Sequence, residues 1–280
     1  SSPHSMIVIT DNERSGYFTG FIEWKNEQGL LTTLFLVEDI YDKYEGVDEQ
    51  EKIRNFIINA YGTYLLTETP LEYVLLGGDD TIVPVRGFYC LVNGLWTIYE
   101  DHNIPSDVYY SNLDGNWDAN GNGIYGELDD GIDWFAEVAI GRIPAVTEED
   151  FYNFFQKNYH YATAPSYSND IAVMIGQNLD DITWGGDYKD EIIPILPAEY
   201  RVTRFYDKDG SYSSSGIREA VNNGLGILNH SGHSNESTVF GLSGSSVNFL
   251  SNSEFGLAYS QGCNTAAFDS WTTPDSYAIG

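Results

Sequence analysis

The alternation of short apolar segments with amphipathic ones constrains the fold of this chain more than any other feature. In the first third, apolar runs of strand length alternate with helical patterns, and the same alternation returns from Ile171 onward. This order is typical of α/β proteins, in which helices connect the strands of a largely parallel sheet. Since the two runs are similar and no short-period repeat is present, the sequence predicts two adjacent α/β subdomains with mostly parallel sheets flanked by helices.

The segment from Ala162 to Asn169 is the predicted boundary between the two runs. It is rich in Ser, Ala and Tyr, a composition that interrupts periodic structure. We therefore predict an N-terminal subdomain over residues 1–165 and a C-terminal subdomain over residues 166–280. Asn, Asp, Gly and Tyr dominate residues 93–131, where we expect an irregular excursion. A long helix before the boundary is predicted to turn four aromatic residues inward: Phe151, Phe154, Phe155 and Tyr159.

Acidic residues in the first run mark two element ends. Asp48 stands where a capping box begins a helix, because Glu51 follows three residues later and an apolar helical face comes next. Asp79 and Asp80 follow the predicted strand Tyr73–Leu76, at the end where open α/β sheets place their sites. The same two residues also suit the cap of a turn, so both interpretations stay open.

Charge and hydropathy exclude two classes of partner. Thirteen Lys and Arg residues stand against 42 Asp and Glu residues, which gives a formal net charge of −29. That charge repels a phosphate backbone, so nucleic acid is excluded as a partner. A strongly acidic chain is compatible with divalent cations, a basic substrate or a saline medium. No apolar run approaches the roughly 18–20 residues that cross a bilayer, so no membrane span is expected. The chain opens without a signal pattern, and we expect an exported protein whose signal has been removed.

Two similar strand-to-loop junctions in the second run each carry a reactive side chain. His233 follows the apolar segment that begins at Gly226, and Cys263 follows the one that begins at Phe255. If these segments are neighbouring parallel strands, both side chains emerge at one edge of the sheet, and a separation of about 30 residues fits a crossover unit. A cysteine and a histidine so placed supply a nucleophile and a base for attack on a carbonyl, with backbone N–H groups to stabilise the oxyanion.

The same residues also have structural interpretations. Cys263 suits a small buried hydrophobe, and a lone histidine suits a hydrogen-bonded polar position. A disulfide between Cys90 and Cys263, the two cysteines of the chain, stays open. His230 and His233 suggest a metal pair, but the sequence offers no clustered third ligand that would complete a zinc site.

Six blocks of the sequence resemble the gingipain-type cysteine peptidases of the caspase-like clan. They lie at Glu38–Ile58, Tyr73–Asp79, Ser106–Asp114, Glu137–Pro144, Ser231–Glu236 and Gly262–Asp269, and so extend over nearly the whole chain. The resemblance implies a caspase-like α/β fold and a cysteine endopeptidase in which Cys263 is the nucleophile and His233 the general base or acid. It also implies an oxyanion hole formed by the backbone N–H groups of Cys263 and of Ser234, beside His233.

Three features depart from the pattern of that family. Ser234 stands where the family usually has Gly after the catalytic histidine, which adds a side chain at a crowded position. The acid that orients the histidine in arginine-specific members is unassigned, because Gln177 stands near the end of that strand, with Asp180 and Asp181 further on. The chain also ends soon after Cys263, where the family continues. We expect either a truncated chain or a nicked precursor whose C-terminal fragment completes the fold.

The resemblance also bears on specificity. In the arginine-specific relatives an acid on the helix after that strand lines the S1 pocket, and Asp187 occupies the similar place. Its carboxylate would select Arg or Lys at P1 through a charge-assisted contact, and Trp184 would form an apolar wall of the pocket. A solvated Asp at a helix start and a Trp in the core are the competing interpretations.

Oxygen-bearing side chains alternate with glycines between Asp114 and Asp130, as in loops that wrap a hard cation with about six to eight oxygens. The EF-hand pattern fits at its start and departs at its twelfth position, where Asp129 replaces Glu. We expect a structural Ca²⁺ with these ligands: Asp114, Asp118, Asn120, Asn122, Glu127 and Asp129. A bare turn rich in Asp, Asn and Gly is the competing interpretation.

The sequence thus predicts a secreted cysteine endopeptidase that cleaves protein or peptide substrates after a basic residue. Two other functions stay open: a catalytically silent, Ca²⁺-stabilised binding or scaffold domain of the same fold, and a Cys-dependent acyltransferase or ligase that uses the same pair. Thiol labelling distinguishes the first, because a scaffold cysteine reacts slowly and without dependence on His233. Product analysis with an added amine acceptor distinguishes the second.

Overall fold

A computed structural model of the chain describes residues 4–93, 98–163, 169–180 and 182–269. Contacts divide the chain into two compact units, residues 1–152 and 153–280. The division falls within a helix, and the boundary predicted between residues 165 and 166 lies outside the described residues. None of the described helices is both long enough and apolar enough to span a membrane.

The first unit is built on a four-stranded parallel sheet in the order β2-β1-β3-β6. Every residue of β1 is buried, as expected of a central strand that helices cover on both faces. A separate antiparallel pair is formed by β4 and β5, and only β5 lies within the segment predicted to be irregular. Its second strand is polar and half exposed on both faces, so it gives no alternating pattern. The strands of this unit are β1 (Met6–Thr10), β2 (Thr32–Leu36), β3 (Tyr73–Gly77), β4 (Arg86–Asn93), β5 (Ile98–Ser106) and β6 (Ala139–Ile143).

Helix α3 begins at the cap that the sequence predicted. Asp48 precedes α3, and its Oδ1 accepts a hydrogen bond of 2.9 Å from the Glu51 N–H. Two hydrogen bonds from Arg86, at 2.7 and 2.8 Å, hold the same carboxylate. The cap at Asp48 is therefore confirmed. The helices are α1 (Thr19–Glu27), α2 (Val37–Lys43), α3 (Glu49–Tyr64), α4 (Val108–Ser111) and α5 (Glu148–Thr163), with 3₁₀ turns at Ser15–Phe18 and Leu128–Asp130.

Two details of this unit decide between open interpretations or differ from prediction. Asp79 Oδ1 accepts hydrogen bonds from the N–H and hydroxyl of Thr81, at 3.0 and 2.6 Å, so Asp79 caps a turn. On α5 only Phe151 is buried among the four aromatic residues predicted to point inward, and Tyr159 is exposed. Helical periodicity predicts which face of α5 is apolar. How many residues of that face are buried depends on the tertiary structure.

The second unit has its own four-stranded parallel sheet, in the order β8-β7-β9-β12. A two-stranded antiparallel ribbon, β10 with β11, stands apart from it. The strands are β7 (Ile171–Gly176), β8 (Arg201–Tyr206), β9 (Ile227–Ser231), β10 (Thr238–Val239), β11 (Leu242–Ser243) and β12 (Leu257–Gln261). The helices are α6 (Gly185–Ile192), α7 (Ser214–Asn222) and α8 (Gly244–Val247), with 3₁₀ turns at Ile193–Ile195 and Asp207–Asp209.

Alternation along β7 divides the core of this unit into two layers. Val173 and Ile175 pack with Ile217 of α7, whereas Ala172 and Met174 pack with Tyr206. The second layer is also the α6 side, since Ile192 packs there. Helix α6 approaches the end of β7 closely because glycines meet there: a Cβ on Gly176 would lie 2.2 Å from the Gly186 nitrogen. This contact fixes the start of α6 beside the carboxyl end of the sheet.

Candidate active site

The second sheet has a topological switch point between β7 and β9. The chain passes from β7 to β8 on one side and then returns to place β9 on the other side. Loops leaving β7 and β9 therefore diverge and open a crevice at the carboxyl ends, where open α/β sheets bind ligands. Gln177 follows β7 at this crevice, and Gly232 and His233 follow β9.

The two residues predicted to form the dyad follow neighbouring strands, each at the same number of residues after the strand end. Strands β9 and β12 are parallel neighbours, which confirms that part of the prediction, and their last register pair is Ser231 with Gln261. His233 and Cys263 each stand two residues beyond that pair, and neighbouring strands lie about 4.8 Å apart. Both residues are exposed, and Cys263 is a free thiol. Cys90 is also free, so the alternative of a disulfide between the two is wrong.

Ser234 ties the two loops together. Its Oγ donates a hydrogen bond of 2.7 Å to the Cys263 carbonyl and lies 2.6 Å from Thr265 Oγ1. The side chain fits because Gly262 faces it: a Cβ on Gly262 would lie 2.0 Å from Ser234 Oγ. The residue that departs from the family pattern thus bridges the loops that carry His233 and Cys263.

Gln177 holds the loop that carries His233. Its Oε1 accepts a hydrogen bond of 2.9 Å from the His233 backbone N–H and lies 3.0 Å from His230 Nε2. Its Nε2 donates to the Tyr212 hydroxyl at 3.2 Å, and its own backbone N–H donates to the Ser231 carbonyl at 3.0 Å. Gln177 therefore contacts the main chain at His233, whereas the acid of the family pattern orients the imidazole.

His230 is a buried neutral imidazole rather than a metal ligand. It is 0% exposed, and burial, together with the charges of Lys189 and His233, lowers its pKa from 6.5 to about 4. Gln177 Oε1 already accepts from a backbone N–H, so it acts as the acceptor and His230 Nε2 as the donor. His230 Nδ1 is then the acceptor for Ser260 Oγ at 2.9 Å. Both ring nitrogens are used, so the suggested metal pair with His233 does not form.

Lys189 of α6 is the second buried titratable group beside the crevice. It is 0% exposed, and its Nζ donates to Asn229 Oδ1 at 2.7 Å and to Gln261 Oε1 at 2.8 Å. Burial lowers its pKa. A cavity of about 460 Å³ adjoins these groups and is lined by Tyr188, Lys189, Glu191, Ile192, Ile195, Ser231 and Gln261. Sequence reasoning missed Lys189 because a lysine on an amphipathic helix ordinarily faces water.

The residues predicted to form the S1 pocket do not line that cavity. The Asp187 side chain is 59% exposed and forms an ion pair with Lys208. Trp184 is half buried at the residue before α6, and neither it nor Asp187 lines the cavity. Asp180, a candidate for the missing acid, accepts hydrogen bonds from the backbone N–H groups of Ile182 and Thr183. Asp181 lies outside the described residues.

The predicted calcium loop brings four of its six ligands together. Asp118 accepts hydrogen bonds from the backbone N–H groups of Asn122 and Gly123, each at 3.0 Å. Glu127 Oε2 accepts from the side-chain amides of Asn120 and Asn122, at 3.1 and 2.6 Å. Asp114 and Asp129 are exposed, and their side chains take no part in these bonds. Among the described residues, no three His, Cys, Asp or Glu side chains form a metal-binding group, so a cation here depends on the asparagine oxygens.

Comparison with known proteins identifies the relatives of this chain. The sequence model of Peptidase family C25 matches residues 1–278. The chain belongs to peptidase family C25. Among curated proteins, it is 26% identical over 246 residues to gingipain R2 and to gingipain R1 of Porphyromonas gingivalis, and 85% of it is covered in each case. It spans 28% of the first and 21% of the second, so it corresponds to only part of these relatives.

Solved structures of that family share the fold. The crystal structure of the Arg-specific cysteine proteinase gingipain R superposes with a TM-score of 0.73 at 22% identity, and covers 96% of this chain and 56% of its own. A complex of Porphyromonas gingivalis gingipain pro- and mature domains superposes with a TM-score of 0.72 at 22% identity, and covers 95% of this chain and 57% of its own. The caspase-like α/β fold with mostly parallel sheets is therefore confirmed.

Proposed function

We propose that the full-length protein is a secreted cysteine endopeptidase that uses Cys263 and His233 as a dyad. The observation that carries the proposal is the register of β9 with β12. Ser231 pairs with Gln261, and His233 and Cys263 each follow that pair by two residues. Membership of peptidase family C25 supports the same reaction class. Its substrates are proteins or peptides, and a C-terminal segment of the same precursor is the proposed partner that completes the fold.

The reaction follows from the groups at this edge. His233 takes the proton from Cys263 Sγ, and the thiolate attacks the scissile carbonyl carbon. The backbone N–H groups of Cys263 and Ser234 donate to the oxyanion, and His233 then protonates the leaving amine. Water hydrolyses the thioester and returns the thiol. The hydrogen bond from Ser234 Oγ to the Cys263 carbonyl links the two loops that carry these N–H donors.

Substitution of the two dyad residues tests this reaction. Cys263→Ala and His233→Ala should each lower kcat/KM on a mixed peptide library about a thousandfold or more, since the two groups act as one unit. Cys90→Ala is the matched control, because Cys90 lies on β4 of the first unit, and it should keep full activity. Iodoacetamide should alkylate Cys263 faster in the parent protein than in His233→Ala. Equal rates, with no cleavage by the parent, would indicate a silent scaffold domain.

The reaction does not depend on the choice of P1 residue. The sequence predicted a basic residue there through Asp187, and the Arg-specific relative favours it. The ion pair of Asp187 with Lys208, and its position outside the cavity beside the dyad, weigh against a role for this carboxylate.

We also propose that the loop around Asp118 binds a structural Ca²⁺. The side chains of Asp118, Asn120, Asn122 and Glu127 carry oxygens and are brought together within residues 118–127, which suits a hard cation, and Asp114 and Asp129 would complete the set. EDTA should lower the Tm of the protein, and added Ca²⁺ should restore it. Asp118→Asn should reduce the response, with Asp133→Asn outside the loop as control. An unchanged Tm, with no Ca²⁺ by elemental analysis, would contradict the proposal.

A further inference from the structure

The turn that follows Cys263 holds two residues in a backbone conformation that side chains disfavour. Asn264 has a φ of 51° and Ala266 has a φ of 66°. Both values lie in the left-handed region, which asparagine tolerates and which strains an alanine. A strained turn persists only where neighbouring groups hold it, and such turns concentrate at functional sites. The groups that hold this turn also set the backbone at Cys263, the residue before it.

Two hydroxyl groups, one from each loop, hold the turn. Ser234 Oγ donates to the Cys263 carbonyl at 2.7 Å, so its one hydrogen is used there. Thr265 Oγ1 is then the donor in its contact of 2.6 Å with Ser234 Oγ. The same Thr265 hydrogen is shared with the Gly262 carbonyl, 3.3 Å from Oγ1. The hydroxyl pair of Ser234 and Thr265 thus reaches the carbonyl groups on both sides of the Cys263 nitrogen and Cα.

A carboxylate adds a further tie between the same two loops. Glu236 Oε1 accepts a hydrogen bond of 3.0 Å from Asn264 Nδ2. Asn264 is the first of the two residues with positive φ, so this bond holds the start of the turn. The loop that carries His233 therefore fixes the loop that carries Cys263 through two side chains.

The contacts around Cys263 bear on its N–H group. A peptide unit is planar, so the Gly262 carbonyl and the Cys263 N–H turn together. The Cys263 carbonyl belongs to the next peptide unit. When both units are held, φ and ψ of Cys263 are fixed, and so is the direction of its N–H. That N–H is one of the two donors proposed for the oxyanion, and donors fixed in advance stabilise it without the cost of reorientation.

We propose that the hydroxyl pair of Ser234 and Thr265 aims the Cys263 N–H at the oxyanion. The inference rests on the proposed peptidase function. Both residues act through the backbone of Cys263, so they are positioning residues. The gingipain-type pattern usually has Gly directly after the catalytic histidine, and Gly carries no hydroxyl, so the pair is a feature of this chain rather than of that pattern.

Removal of each hydroxyl tests the proposal in the full-length protein. In Ser234→Ala and in Thr265→Val, kcat for a peptide substrate should fall by about tenfold or more with little change in KM, a part of the roughly 10²- to 10³-fold that loss of an oxyanion donor costs. Thr265→Ser returns the hydroxyl and should recover most of the kcat lost in Thr265→Val. Because Cys263 is exposed, water solvates the freed carbonyl groups, and we expect the variants to fold.

A second hydroxyl pair in the same unit supplies the matched control. Ser245 is exposed, and its Oγ lies 3.0 Å from Ser243 Oγ. Ser245→Ala breaks that contact as Ser234→Ala breaks the contact with Thr265. It should leave kcat unchanged.

Two reagents separate aim of the N–H from a general structural role. A peptide aldehyde adds to the thiol and places its oxygen where the oxyanion forms, whereas iodoacetamide alkylates the thiolate without forming an oxyanion. In Ser234→Ala and in Thr265→Val the Ki of the aldehyde should rise by the factor by which kcat falls. The rate of alkylation of Cys263 should stay unchanged.

The outcomes distinguish this inference from the function on which it rests. Full kcat in both variants, equal losses of cleavage and alkylation, or no recovery in Thr265→Ser overturns the inference and leaves the peptidase proposal standing. Absence of cleavage by the parent protein with every peptide overturns the peptidase proposal, and the inference falls with it.

Discussion

The two sheets of this protein have the same topology and different chemistry at corresponding places. In each, the second strand along the chain lies on one side of the first and the third strand lies on the other, which gives a switch point between the first and third. In the first sheet that point lies between β1 and β3, where Thr10 Oγ1 donates to the Gly77 carbonyl at 2.6 Å. In the second it lies between β7 and β9, where Gln177, His230 and His233 meet.

Structural hydrogen bonds hold the loop that follows β3, beside the first switch point. Arg142 donates to the carbonyls of Gly78, Asp79 and Val83, at 2.6 to 3.0 Å, and forms a buried ion pair with Asp107. The carboxyl end of the second sheet carries a free thiol after β12 and ionisable groups with neutral partners. The comparison shows that a switch point gives a place for a site, and that the side chains at the strand ends decide whether a site is built.

The largest expected effect comes from releasing the loop that follows β3. Arg142→Met leaves Asp107 and the carbonyls of Gly78 and Val83 without the donor that Arg142 supplies, so the free energy of unfolding should fall by about 3–5 kcal/mol. Urea denaturation measures the change. Arg201→Met, which removes an exposed pair with Asp170, is the control and should have no measurable effect. A small loss for Arg142→Met would show that these bonds do not stabilise the loop that follows β3.

His230 should make the second unit sensitive to acid. Its pKa is about 4 in the folded protein and near 6.5 when unfolded, so the unfolded state binds more protons between these values. The free energy of unfolding should therefore fall as the pH falls from about 6.5 to about 4, by about 3 kcal/mol from this residue. Urea denaturation across that range, compared with His230→Gln, isolates the contribution. Parallel pH profiles for the two proteins would contradict the assignment.

Loss of the Gln177 acceptor should affect catalysis more than binding. Gln177→Met leaves the His233 N–H and His230 Nε2 without their shared acceptor, at a cost of about 1–3 kcal/mol. If this strain displaces His233, kcat should fall by about 10- to 100-fold with little change in KM. Gln156→Met on the exposed side of α5 is the control. Equal changes in kcat for Gln177→Met and Gln156→Met would show that Gln177 does not position His233.

The corresponding substitution in the first sheet should have the smallest effect. Thr10→Val keeps the shape of the side chain and removes the hydrogen bond to the Gly77 carbonyl, so stability should fall by about 1 kcal/mol. Because this crevice carries no reacting group, kcat/KM should be unchanged. A loss of activity comparable to that of Gln177→Met would break the contrast between the two crevices.

Local patterns explain how far the sequence could be interpreted. The apolar runs and the Asp48 cap predicted most strands and helices, since these depend on neighbouring residues. The β4–β5 pair was missed because polar residues at its exposed faces hide the alternation. The pairing of β9 with β12 was predicted correctly from the similar junctions at His233 and Cys263.

The sequence by itself determined the α/β class, the duplication of the sheet, the family and the two residues proposed as the dyad. Each of these depends on periodicity or on residues close together in the chain. The tertiary structure alone decided what surrounds the dyad. Gln177 reaches His233, and Lys189 reaches Gln261, across separations of 56 and 72 residues. Strand order brings these groups together, and strand order depends on long-range packing that no local pattern encodes.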